Sequence, residues 1–320
     1  MKKLRASAYF SFLRLLKKIH IPSRLRSALP SISNFLSQLN TSESNSYLIR
    51  QLFDATYHPS YILAESELPE IDVLICCTEK DLRSLPEVVH SIFEYSLNPI
   101  TQITIISPEY LKLASLNLQN ANKVRNILDE NILGNLEKNL INSVSPRGRY
   151  GWVTQQVLKI MYALNSNSKY LLVIDSDTIL LQPHAFVNKR GTQTLSISYE
   201  KHTPYLDHSS HYFKLPKSTK SYVTHYQLWQ TSFIKEIFPE NFDSIYEWLK
   251  LGQIDEPSGL SEFHCYGMWL ELKHPNNRMV ISWRNLNISH EKWIKNTLNE
   301  ISSVASYGPL NSVSVHSYLE

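Results

Sequence analysis

The chain has 320 residues, 42% of them apolar and 19% charged, and a formal charge of +3. Those values describe a folded protein with enough chain for one large domain or two small ones, and they exclude a disordered polymer. So small a positive excess does not mark a nucleic-acid binder, and no apolar run approaches the ~18–20 residues of a membrane span. Cys76, Cys77 and Cys265 offer neither a metal spacing nor an even disulfide set, so they read as small buried hydrophobes in a reducing compartment.

From Met1 to Ser42 there is no acidic residue, whereas Lys2, Lys3, Arg5, Arg14, Lys17, Lys18, Arg24 and Arg26 are basic. Leu4, Ala8, Phe12, Leu15, Leu16 and Ile19 recur at helical spacing, which predicts a basic amphipathic helix. Such a segment lies on an anionic membrane surface, packs on the body of the protein, or stays a disordered tail. Arg14 interrupts the apolar run and no small-residue cleavage site follows, against a secretory signal. Residues 31–46 are rich in Ser and Asn and read as a linker. We therefore divide the chain into an extension with linker, residues 1–68, and a body, residues 69–320.

In the body, residues 71–77 read as a first strand, and residues 78–81 turn out of it. Ser84 with Glu87 predicts a capping box, followed by Leu85, Val88, Val89, Ile92 and Phe93 at helical spacing, with Pro86 in the first turn. Residues 102–106 read as a second strand, so the body opens with a right-handed β-α-β unit. Asp129 and Glu130 fall in a stretch without a clear pattern. Residues 152–164 predict a helix with two stripes. Val153, Val157, Ile160, Met161 and Leu164 form its core face, and Trp152, Gln155, Gln156 and Lys159 line up on another face, either toward a ligand or toward solvent. Strands are expected at 194–199 and 222–229, a helix over 233–251 with Gly252 as C-cap, a helix started by Ser261 and Glu262, and a strand at 279–283. No repeat appears.

The chemistry centres on Tyr170-Leu171-Leu172-Val173-Ile174 and the Asp175-Ser176-Asp177 that follows. A buried strand ended by two carboxylates lies where open α/β sheets bind ligands, and its oxygens suit a hard divalent cation. With Thr178-Ile179-Leu180-Leu181 continuing the chain, an extended backbone would put Asp175 and Asp177 on one side. An Asp-x-Asp also occurs in ordinary turns, so position rather than composition favours the metal site.

The stretch from Tyr170 to Pro183 resembles the Asp-x-Asp region of GT-A nucleotide-sugar glycosyltransferases. Arg149-Tyr150-Gly151-Trp152 to Lys159, Ser261-Glu262-Phe263-His264-Cys265-Tyr266-Gly267 and the terminal Ser-Val-Ser-Val-His-Ser resemble, more narrowly, a bacterial glycosyltransferase-like group of largely unassigned substrates. The similarity runs from about Ile71 onward and implies a GT-A-type, Rossmann-like mixed α/β sheet flanked by helices, with the helical extension outside it. It implies that Asp175 sits near the donor ribose or metal, with Ser176 beside it, and that Asp177 ligates Mn²⁺ or Mg²⁺. It also suggests His316 as the closing ligand, with His225 and His290 as rivals. Glu262 is then the acceptor-side base, or a contact to sugar hydroxyls if configuration is retained. Thr78 and Asp81 fall at the donor nucleoside's edge, while Arg147, Arg149, Gln155 and Lys159 are candidates for the diphosphate.

The function expected is metal-dependent transfer from a nucleotide diphosphate sugar, a UDP-sugar by preference, to a glycan or glycolipid hydroxyl. Bacterial surface polysaccharide or lipopolysaccharide assembly is the expected setting, with the body cytoplasmic and residues 1–42 on the inner membrane face. The alternatives are a sugar-phosphate nucleotidyltransferase, which usually carries a Gly-rich loop that residues 78–85 lack, and a non-catalytic carbohydrate-binding protein. No Gly-x-Gly-x-x-Gly or Walker loop is present, against dinucleotide oxidoreductases and P-loop NTPases.

Overall fold

Residues 67–198, 202–252, 258–289 and 310–316 are described in this computed structural model, all within the unit formed by Asp54–Thr297 and Leu310–Glu320. The basic segment, the Ser- and Asn-rich linker and His290 lie outside the described residues. Five strands, β1 (Ile71–Cys76), β2 (Ile100–Ser107), β3 (Val124–Leu128), β4 (Tyr170–Ile174) and β7 (Tyr226–Gln230), make up the main sheet. They form a sheet in the order β3-β2-β1-β4-β7, parallel except for β7, which runs antiparallel to β4. The mixed, parallel-rich α/β sheet flanked by helices that the sequence implies is thus present.

All five residues of β4 are buried, without alternation, as in a strand covered on both faces. Leu74, Cys76, Leu171 and Val173 share one core with Val153, Val157, Ile160 and Leu164 of α3 (Tyr150–Asn165). Burying each such aliphatic side chain contributes roughly 1.5–3 kcal/mol, so this face fixes α3 against the sheet. From β1 the chain passes through α1 (Leu85–Tyr95) to β2 and then β3 on one side, whereas β4 lies on the other side of β1. The winding reverses between β1 and β4. Open α/β sheets bind ligands in the crevice outside the carboxyl ends of strands at such a reversal.

Two small sheets accompany the main one. β5 (Thr178–Leu180), β10 (Ser312–His316) and β9 (Asn285–Ser289) pair in that order, β10 antiparallel to β5 and parallel to β9. β6 (Gln193–Ile197) pairs in parallel with β8 (Arg278–Ser282). The flanking helices include α2 (Asn135–Val144), α4 (Thr203–Phe213), α5 (Thr231–Ile237), α6 (Phe242–Lys250) and α7 (Glu262–Lys273).

Several expectations change locally. The helix expected over 233–251 is two helices, α5 and α6, because Pro239 between them offers no N–H to continue the ladder. The strand expected from 222 starts only at Tyr226. His225 has φ 53°, and the N–H of Tyr226 donates to the carbonyl of Thr224 at 2.6 Å, closing a three-residue turn rarely seen outside constrained sites. Ser84 does not form the capping box; its backbone is already helical, and its hydroxyl donates to the carbonyls of Asp81 and Ser176. β3 went unread because its residues are only half-buried or exposed, with Arg125 and Asn126 in its middle.

The Ser261 cap forms as expected, its hydroxyl accepting the N–H of His264 at 3.3 Å. Behind that cap α7 is buried on nearly every side, and Gly267 lets it pass against Tyr222. Cys76, Cys77 and Cys265 are free thiols, all buried.

Candidate active site at the carboxyl edge of the sheet

Asp175 and Asp177 follow β4 on a turn rather than on an extended strand, since the N–H of Thr178 donates to the carbonyl of Asp175 at 3.1 Å. The side-by-side placement expected from extended backbone is therefore replaced by two separately held carboxylates. The carbonyl of Ser176, the buried residue between them, accepts the Ser84 hydroxyl at 3.1 Å, tying this turn to the chain that leaves β1.

Asp175 is held from three directions. Its Oδ1 accepts from the Lys159 ammonium at 2.7 Å, and its Oδ2 meets Nδ1 of His225 at 3.0 Å. Its N–H donates to the carbonyl of His225 at 2.9 Å, so the constrained turn at His225 grips both backbone and side chain. Burial alone would raise the Asp175 carboxyl, but Lys159 and His225 more than reverse this and hold it well below the usual carboxylate range.

Asp177 belongs to a second group, built by β10. The N–H of Val315 donates to the carbonyl of Asp177 at 2.8 Å, and Nδ1 of the next residue, His316, lies 2.8 Å from Asp177 Oδ2. On the far side of that ring, Nε2 faces Oδ1 of Asn287 at 3.2 Å, and this amide oxygen also accepts from Asn285 at 2.7 Å. With a cation between His316 and Asp177, Nδ1 would turn its lone pair to the cation while Nε2 donates to Asn287. The two groups adjoin through their imidazoles: the rings of His225 and His316 are 5.3 Å apart, and Trp283 lies 5.3 Å from His225.

Among the described residues no three His, Cys, Asp or Glu side chains converge as a ready metal cage. Asp177 and His316 nevertheless fit a hard or borderline divalent cation. Neighbouring ligands on an octahedron with bonds of about 2.1 Å are about 3 Å apart, close to the 2.8 Å between Asp177 Oδ2 and His316 Nδ1. Such cations are commonly held by one or two side chains, with water and substrate phosphates completing the shell. A metal-binding histidine also needs its other ring nitrogen donated to a partner, and Asn287 supplies the acceptor. Replacing Asn287 with Ala is expected to weaken cation-dependent ligand binding about 10- to 100-fold while thermal stability changes little. Calorimetry with Mn²⁺ present checks this, and wild-type affinity would remove Asn287 from the site.

The second stripe of α3 turns inward. Trp152 and Gln155 are half-buried, and Gln156 and Lys159 are both 2% exposed. Lys159, expected near a diphosphate, is enclosed between Asp175 and Glu262, the latter accepting from its ammonium at 2.8 Å. Burial disfavours that ammonium, but Asp175 and Glu262 outweigh the penalty and hold it charged, well above the ordinary lysine range. Gln156 Oε1 accepts the N–H of Glu262 at 3.0 Å, so α3 grips Glu262 at two atoms. Glu262 is itself 6% exposed, at the first position of α7.

Thr78 and Asp81 lie in the exposed loop after β1, on the same edge. The Asp81 carboxylate accepts from the Thr78 N–H at 3.2 Å and from its hydroxyl at 2.9 Å, which makes the loop a self-capped turn. Arg147 is exposed before α3. Arg149 lies over the Trp152 ring at 4.5 Å and donates to Ser258 at 3.0 Å. Sequence reasoning left Ser84 and Asn287 out of the site, kept Gln156 only on a stripe facing ligand or solvent, and ranked His225 as a rival metal ligand. His225 was expected inside the strand 222–229, and the backbone conformation that puts it ahead of β7 leaves no mark in the sequence.

These features define an α/β protein whose sheet carries a cluster of Asp and His side chains at its carboxyl edge. No family model matches the chain, and no curated protein matches it in sequence. Among solved structures it is similar to the galactosyltransferase LgtC in complex with donor and acceptor sugar analogues, with TM-score 0.44 and 8% identity over 76% of this chain and 86% of that one. A structure of LgtC carrying an active-site mutation gives TM-score 0.45 and 10% identity over 76% and 86% of the two chains. Mouse xyloside xylosyltransferase 1 in its apo form gives 0.41 and 11% over 78% and 99%. No helix among the described residues is long and apolar enough to cross a membrane.

Proposed function

We propose that the chain is a divalent-cation-dependent glycosyltransferase moving a sugar from a nucleoside diphosphate sugar, a UDP-sugar by preference, to a hydroxyl of a glycan or glycolipid. The observation that carries this is the pairing of Asp177 with His316, oriented by Asn287, at the carboxyl edge beside the reversal between β1 and β4. Mn²⁺ or Mg²⁺ held there would supply positive charge to a departing diphosphate. Around that position the chain's own groups divide the work. Asp175, fixed by Lys159 and His225, faces the donor side. The loop of Thr78 and Asp81 flanks it, with Arg147, Arg149 and Gln155 on the diphosphate side. Glu262 is the carboxylate proposed to accept the proton of the acceptor hydroxyl.

Bacterial surface polysaccharide or lipopolysaccharide synthesis is the setting proposed, with the basic segment of residues 1–42 on an anionic membrane face. Flotation with anionic and neutral vesicles tests that segment's role, and equal recovery with both would remove it. For the reaction class, titration calorimetry with UDP, GDP and CMP is expected to show binding of a nucleoside diphosphate only with Mn²⁺ present. Binding that ignores the cation, or no nucleotide binding, would sink the proposal. Donor-sugar release into water or onto an acceptor separates transfer from nucleotidyl exchange with a sugar phosphate.

A further inference from the structure

Lys159 joins two carboxylates that come from different parts of the site. Its ammonium is 2.7 Å from Asp175 at the end of β4 and 2.8 Å from Glu262 at the start of α7, and it lies 4.6 Å from the centre of the Phe263 ring. Its side chain is 3% exposed and that of Glu262 6%, so water does little of the screening. Counting formal charges, the triad carries one net negative charge in a buried setting. Replacing all three groups by apolar residues of similar volume would cost the fold little, whereas removing the lysine alone would strand Asp175 and Glu262 without their countercharge. What the ion triad adds is a fixed separation between its two carboxylates.

We propose that Lys159 is a positioning residue that locks the donor-side carboxylate Asp175 to the acceptor-side carboxylate Glu262, a role that presupposes glycosyl transfer at this site. Lys159 touches neither reactant in this scheme and acts through both carboxylates. Gln156, one turn earlier on the same face of α3, completes the hold by accepting the N–H of Glu262. One helix thereby sets the spacing between the two halves of the reaction. Misplacement by about 1 Å in such a constellation can cost on the order of 100-fold in rate.

The test is a kinetic cycle on the full chain with Lys159→Met, Glu262→Gln and the double variant, measured with Mn²⁺, the donor nucleotide found by calorimetry, and its sugar derivative. Lys159→Met is expected to weaken donor binding about 10-fold through Asp175 and to lower kcat about 100-fold through Glu262. Glu262→Gln should lower kcat with donor affinity within about 3-fold of wild type, because the Gln oxygen still accepts from Lys159. In the double variant the kcat loss should match that of Glu262→Gln alone, while the donor-binding loss of Lys159→Met persists. Multiplicative kcat losses, or a Lys159→Met enzyme with wild-type kcat and donor affinity, would overturn the role. If Lys159→Met does not fold, Lys159→Gln replaces it in the cycle under the same criteria. If the wild type neither binds a nucleotide nor transfers a sugar, the glycosyltransferase proposal fails. The triad is then judged by thermal unfolding: coupled melting shifts of Lys159→Met and Glu262→Gln support the link, and additive shifts refute it.

Discussion

Asp177→Ala is expected to lower cation-dependent donor turnover by at least about 100-fold while leaving a folded protein. The separation of the two effects follows from how the residue is used. Its backbone carbonyl accepts the N–H of Val315 and survives the substitution, whereas only the side chain meets His316. That side chain is 22% exposed, so its removal leaves no buried, unpaired charge in the core. His316 would remain fixed by Asn287 and by the pairing of β10 with β9, yet a cation would lose its carboxylate. Release of the nucleoside diphosphate with increasing Mn²⁺, alongside a melting curve, is the measurement. Turnover above a tenth of wild type at saturating Mn²⁺ would move the cation elsewhere.

Gly267→Ala is expected to destabilise the protein by about 3 kcal/mol, roughly a 6–12 °C fall in melting temperature for a body of this size. A Cβ at this position would stand 2.4 Å from both Cβ and Cγ of Tyr222, where no real contact exists. Tyr222 cannot step aside easily. It is fully buried, its ring stacks 5.7 Å from that of His264, and its hydroxyl donates to Glu271, which also pairs with Lys220 and Arg278. The strain would pass along α7 toward Glu262, so activity should fall with stability. Gly151→Ala is the control, since a Cβ there meets nothing within 4 Å and Ala favours the helix. A Gly267→Ala protein melting within about 2 °C of wild type would show that α7 can shift away from Tyr222.

Much of the sheet was readable before folding was considered. β4 is a continuous apolar run, β1 and β2 are rich in Ile, Leu and Val, and the core face of α3 repeats at 3.6 residues, so local pattern and burial agree. The other face of α3 was ambiguous for a physical reason. Gln and Lys spaced along a helix look the same whether they meet water or two buried carboxylates, because the partners are far away in sequence. His225 was obscured differently, since a positive φ at a non-glycine residue is imposed by surrounding contacts and has no compositional mark. Pro239 marks the split of 233–251 in the amino-acid order, and the single helix expected there passed over it.

The strand Tyr170–Ile174 and the two carboxylates that follow it are legible in the amino-acid order alone, because a short run of adjacent residues carries both features. Which partners those carboxylates received was settled by long-range packing. Asp175 was given to Lys159 and His225 by the packing of α3 and the turn before β7. Asp177 was given to His316, 139 residues away, by the insertion of β10 between β5 and β9. A strand register of that range is set by which surfaces close together when the core forms, and no local pattern encodes it.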